Sequence, residues 1–198
     1  MPSDAQHDAH FRRVVAWVCG LNLVYFFVEF GVARWIGSVA LLADSIDFLE
    51  DASINALILL ALRWSAARRA RVGMLLALIL LVPSLATLWA AYQKLLAPAA
   101  PLVVPLTLAA AGAFIVNLTC AFMLARHRTR AGSLSRAAFL SARNDVLANI
   151  AIIIAGFITL WTRNGWPDLV VGLGIALLNA GAAKEVYAAA RTEHDARA

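Results

Sequence analysis

A chain of 198 residues that is 62% apolar and only 15% charged falls outside the range of soluble domains, which are about half apolar and a quarter charged. Its net charge of +5, from 17 basic and 12 acidic residues, does not mark a nucleic-acid binder. The basic residues lie in the gaps between long apolar runs, where they set topology and meet lipid headgroups. Cys19 and Cys120 both fall inside apolar runs with no C-x-x-C spacing. They read as buried, inert thiols, and neither a redox motif nor a structural zinc site is indicated.

Residues 1–13 are polar and lack the basic start, short apolar stretch and small-residue cleavage site of a signal peptide. They are expected to form a cytoplasmic tail, and the apolar run that follows is expected to stay as a helix. A helix needs roughly 20 residues to cross the hydrocarbon core, and six runs of that order can be marked. They are Val14–Ala33, Val39–Leu62, Val72–Leu96, Leu102–Ala125, Ala137–Trp161 and Leu169–Tyr187. The breaks have turn or interface chemistry: Arg34-Trp35-Ile36-Gly37-Ser38, the basic stretch 63–71, Pro98 with Pro101 and Pro105, the basic stretch 126–136, and Arg163-Asn164-Gly165-Trp166-Pro167. The expected fold is an all-α membrane protein, a six-transmembrane-helix bundle filling one domain over 14–188. A short cytoplasmic tail, 189–198, follows it.

Charge sets the orientation. One side collects Arg12, Arg13, Arg63, Arg68, Arg69, Arg71, Arg126, Arg128, Arg130, Arg136, Arg191 and Arg197; the other holds Arg34, Lys94 and Arg163. Short loops follow the positive-inside rule, so both termini are expected to be cytoplasmic.

Chemistry resides in the polar residues that interrupt the apolar runs. Glu29 lies in the first, Asp44, Asp47, Glu50 and Asp51 in the second, and Asp145 in the fifth. A central Asp costs on the order of 3 kcal/mol on insertion scales, so such groups face the bundle interior and mark function by default. Asp47 and Asp51 are one turn apart on a helix face, and Asp44 and Asn55 extend that stripe. Asp145 lies nine residues past Arg136, about 13 Å along a helix, deep enough to meet Asp51 in one layer. Convergent carboxylates repel unless protonated or bridged by a cation. A divalent ion with oxygen ligands answers that repulsion, and its binding would displace protons. Asn22 shares a helix face with Glu29 and reads as a helix–helix hydrogen-bonding residue. The four histidines, His7, His10, His127 and His194, lie in tails or connectors. Asp51-x-x-x-Asn55 and Asp145-x-x-x-Asn149 repeat one pattern; chance and a true repeat both account for it.

Asn22 to Glu29, Gly31, and the run from Gly37 through Ser38-Val39-Ala40-Leu41-Leu42-Ala43-Asp44 to Asp51 resemble the first two helices of the cation diffusion facilitator family. Asn144-Asp145-Val146-Leu147-Ala148-Asn149 resembles that family's fifth helix, and Trp166-Pro167-Asp168 with Gly172 and Gly174 its sixth. The resemblance implies a tetrahedral metal site with two ligands from each of the second and fifth helices, here Asp47 with Asp51 and Ser141 with Asp145. It also implies proton-coupled antiport of zinc and related divalent ions and a homodimer.

Two departures stand out. Ser141 occupies a position usually held by His. The resulting all-oxygen set suits manganese, iron(II) or magnesium better than a soft-site metal, or marks a weakened site with Asn144 or water completing the shell. The stretch after Tyr187 is too short for the family's soluble metal-binding domain.

The expected function is divalent cation efflux through the bacterial inner membrane, with no prosthetic group and no enzymatic activity. Two rivals stand beside it. One is a non-transporting membrane partner with a decayed site. The other is an intramembrane aspartyl protease, whose Gly-x-Gly-Asp segment fails here because Ile175 follows Gly172-Leu-Gly174.

Overall fold

The structure is a computed structural model that describes residues 4–61, 82, 84–125 and 132–178, with side chains over 9–59, 82, 84–125 and 143–178. Among the described residues there are six helices and no strand. They are α1 (Asp4–Ile36), α2 (Val39–Ala61), α3 (84–96), α4 (Val103–Ala125), α5 (Gly132–Thr162) and α6 (Trp166–Leu178). α1 packs on α2 and α4, and α5 packs on α4 and α2.

Among the described residues, three helical stretches are long and apolar enough to cross a membrane: Ala9–Ile36, Val103–Ala125 and Arg143–Thr162. α2 has the length, 23 residues, but its four carboxylates break the apolar character. The helix ends differ from the sequence expectation at two places. α1 begins at Asp4 rather than Val14, because no Gly or Pro interrupts the polar stretch before the apolar run and propagation from a formed helix costs little. At 33 residues it is about 50 Å long, more than a bilayer's hydrocarbon core requires. α5 likewise begins at Gly132 rather than Ala137. The expected third and sixth segments are described only over 84–96, with Val82, and over 166–178; their remaining residues lie outside the described part.

Burial is inverted relative to a soluble bundle. Val24 and Phe27 are 65% and 66% exposed, while Asn22 and Glu29 on the same helix are fully buried. Apolar faces turned outward and polar groups turned inward are what a lipid solvent selects.

The α1–α2 turn fixes where α2, and hence its acids, begins. Gly37 takes φ +69°, the left-handed conformation that glycine adopts at little cost. The Ser38 N–H donates back to the Ala33 carbonyl at 3.0 Å, the long bond of a Schellman ending. Ser38 also caps α2, its Oγ accepting from the Leu41 N–H at 3.1 Å.

Asp168 of α6 completes that cap. Its carboxylate accepts from Val39 N–H at 2.8 Å, Ala40 N–H at 3.4 Å and Ser38 Oγ at 2.5 Å. Lys94 of α3 donates to Asp168 at 2.7 Å and to the Gly37 carbonyl at 2.8 Å. α6 can come this close because Gly172 has no side chain: a Cβ there would sit 2.7 Å from the Val39 carbonyl carbon. Below the turn the central packing cluster joins Leu41 and Leu42 with Leu106, Ile152 and Ile175.

Candidate functional site

α2 presents its acids on the interior side. Asp44, Asp47 and Asp51 are buried and Glu50 is partly exposed, as the spacing of the stripe requires. α5 packs against α2 and brings Asp145, partly buried, and Asn149, fully buried, to the same region. Asp47 and Asp51 each lie within electrostatic range of Asp145. That range is all that links the three carboxylates here: among the described residues no three His, Cys, Asp or Glu side chains are grouped so that they could hold a metal ion.

The other expected site residues divide clearly. Ser141 falls on α5 one turn before Asp145, but its side chain lies outside the described residues. Asn144 is exposed. Asn55 and Asn149 are buried and do the same local job: each Nδ2 donates at 2.8 Å to the carbonyl four residues earlier, of Asp51 and Asp145 respectively. Each Asp-x-x-x-Asn step is thus a helix whose asparagine is tied to the backbone of its aspartate. Asn22 accepts the Cys120 S–H of α4 at 3.8 Å, a helix–helix contact as expected. Glu29 and Asp44, both fully buried, face each other across the α1–α2 contact. Cys19 and Cys120 are free thiols, and the Cys19 S–H donates to the Ala52 carbonyl at 3.3 Å. His10 lies exposed on α1; the side chains of His7, His127 and His194 are outside the described residues.

Sequence reasoning did not anticipate the Lys94–Asp168 pair. Lys94 counted only as a charge of the less basic side, yet it is 6% exposed and neutralised by a fully buried carboxylate. The available signal was a lone Lys at the end of an apolar run and an Asp in the first turn after Pro167, where helix starts recruit acids.

A family model described as the cation efflux transmembrane domain matches residues 15–188. The chain belongs to the cation efflux family. It is a membrane protein of metal cation transport, and the acids of α2 and α5 lie within the matched region. No curated protein matches the chain.

Proposed function

We propose that this cation efflux protein exports a divalent metal ion from the cytoplasm in exchange for protons. The observation that carries the reading is the meeting of α2 and α5. Buried Asp47 and Asp51 on one helix stand opposite Asp145 on the other, inside a bundle whose outer faces are apolar. Like charges so placed attract a divalent ion when ionised and repel one another when it leaves, so proton uptake accompanies release. Ser141, one turn before Asp145, completes the set, and its oxygen favours manganese or iron(II) over zinc. Asn55 and Asn149, tied to the backbones of Asp51 and Asp145, support the polar layer.

The frame is six spans with both termini cytoplasmic, in a bacterial inner membrane, with homodimerisation as in other family members. Access alternates by rocking of helices about the midplane layer. A metal panel in proteoliposomes with an internal fluorescent reporter tests the reading. The expected result is saturable uptake of at least one of zinc, manganese and iron(II), driven by a proton gradient. Absence of flux for every ion, with no metal-dependent thermal stabilisation, would instead identify a non-transporting partner.

A further inference from the structure

One helical turn from the Asp47/Asp51/Asp145 layer, toward the Gly37 turn, lies a second polar group whose two carboxyls the transport reading does not use. Glu29 of α1, Asp44 of α2 and Asn149 of α5 are each fully buried. The two carboxyls stand within hydrogen-bonding reach of each other, and the Asn149 amide stands beside Asp44. Yet among the described residues neither oxygen of Glu29, neither oxygen of Asp44, nor Oδ1 of Asn149 has a hydrogen-bond partner. All five are acceptors, and a carboxylate cannot donate to a carboxylate.

Two hydroxyls next to the pair in sequence are already engaged. The Tyr25 hydroxyl donates to the Ala109 carbonyl at 2.7 Å and Ser45 Oγ to the Leu42 carbonyl at 2.8 Å. The titratable groups facing the pair are Tyr25 on α1, Asp47 on α2 and Asp145 on α5. α4 carries no charged residue along its length, and Lys94 is held by Asp168. The Asn149 amide beside Asp44 is a donor, but its Nδ2 already gives one N–H to the Asp145 carbonyl, so among the described residues the two buried carboxyls face each other with no cation beside them.

We propose that Glu29 and Asp44 form a proton site separate from the metal layer, holding one proton between their carboxyls with Asn149 beside them. One O–H bond forms on either carboxyl and donates to the other. That removes one buried charge and supplies the missing donor. On release the O–H bond breaks and the proton leaves to water, with both carboxylates restored. Coupling to transport rests on the reading above. A divalent ion in the adjacent layer repels the shared proton, so filling that layer expels it and emptying the layer invites it back.

The test uses full-length protein in lipid nanodiscs and infrared difference spectroscopy of the carboxyl C=O stretch, with manganese as the added ion. Without metal, wild type should show a protonated-carboxyl band that Glu29→Gln and Asp44→Asn each change and that Asp51→Asn with Asp145→Asn leaves in place. Glu29→Gln combined with Asp44→Asn should keep the manganese stoichiometry of wild type while releasing about one proton fewer per metal bound. Glu29→Gln alone, nearly isosteric, gives the same readout if the double variant does not fold. An unchanged band in both single variants overturns the proton site, as does a fall in manganese bound per protein, which would make the pair a metal site. If Asp51→Asn with Asp145→Asn binds manganese as wild type does, the metal layer is wrong, and the band still decides the pair.

Discussion

Asp51 and Asp145 are a heavy burden for helices that must insert into lipid, on the order of 3 kcal/mol each at mid-membrane. Asp51→Ala and Asp145→Ala should therefore insert at wild-type levels or better while losing metal transport. The check is flux at matched expression, and retained flux in either variant would put the ion on another route. Ser141 poses a sharper question, because a one-turn spacing from Asp145 directs both residues to the same helix face. Ser141→His should raise zinc affinity relative to manganese by about tenfold or more, equivalent to about 1.4 kcal/mol, because imidazole binds zinc better than a hydroxyl does. The comparison must be made at one pH where the imidazole is neutral. An unmoved zinc-to-manganese preference in a folded variant would remove Ser141 from the ligand set.

At the scale of the element, the turn between α1 and α2 is held by a contact that no local pattern announces. Asp168 takes up the first N–H groups of α2 and the charge of Lys94 at once, so α2 cannot shift along its axis without breaking all of them. Asp168→Ala leaves the Lys94 ammonium buried and unpaired, a loss of about 3–5 kcal/mol, together with the cap. Lys94→Met should cost less, since the Asp168 carboxylate keeps Ser38, Val39 and Ala40 as donors. Melting temperatures in detergent should thus rank wild type above Lys94→Met above Asp168→Ala; the reverse order of the variants would mean that an uncompensated Asp168 carboxylate costs more than an uncompensated Lys94 ammonium and the lost cap together.

This contrast marks what the sequence made legible. The existence of the helices, the turn at Gly37 and the inward acid stripe follow from spacing and from the cost of charge in lipid. The ends of α1 and α5 did not follow, because a helix can continue through polar residues where nothing stops it. Lys94 with Asp168, and Glu29 with Asp44, are meetings between different helices that periodicity along one helix does not encode.

For the whole molecule, orientation is the property on which direction of transport depends. The Lys94–Asp168 pair changes the charge census slightly, since Lys94 is buried and no longer counts as a free loop charge. That leaves Arg34 and Arg163 opposite the large set of arginines around Arg68, Arg130 and the termini, so the asymmetry grows and the positive-inside rule applies with more force. With the six spans proposed above, helix parity would put both termini on the same side, and the charge asymmetry would make that side cytoplasmic. Single cysteines at Ser65 and at Ser133, in a background with Cys19 and Cys120 changed to Ala, should resist a membrane-impermeant thiol reagent in intact cells and react after permeabilisation. A cysteine at Asn164, in the turn between α5 and α6, should react without permeabilisation. Labelling of the first two from outside, with protection of the third, would invert the bundle. Export toward the Gly37 side would then become import, while the acids that bind the ion stayed where they are.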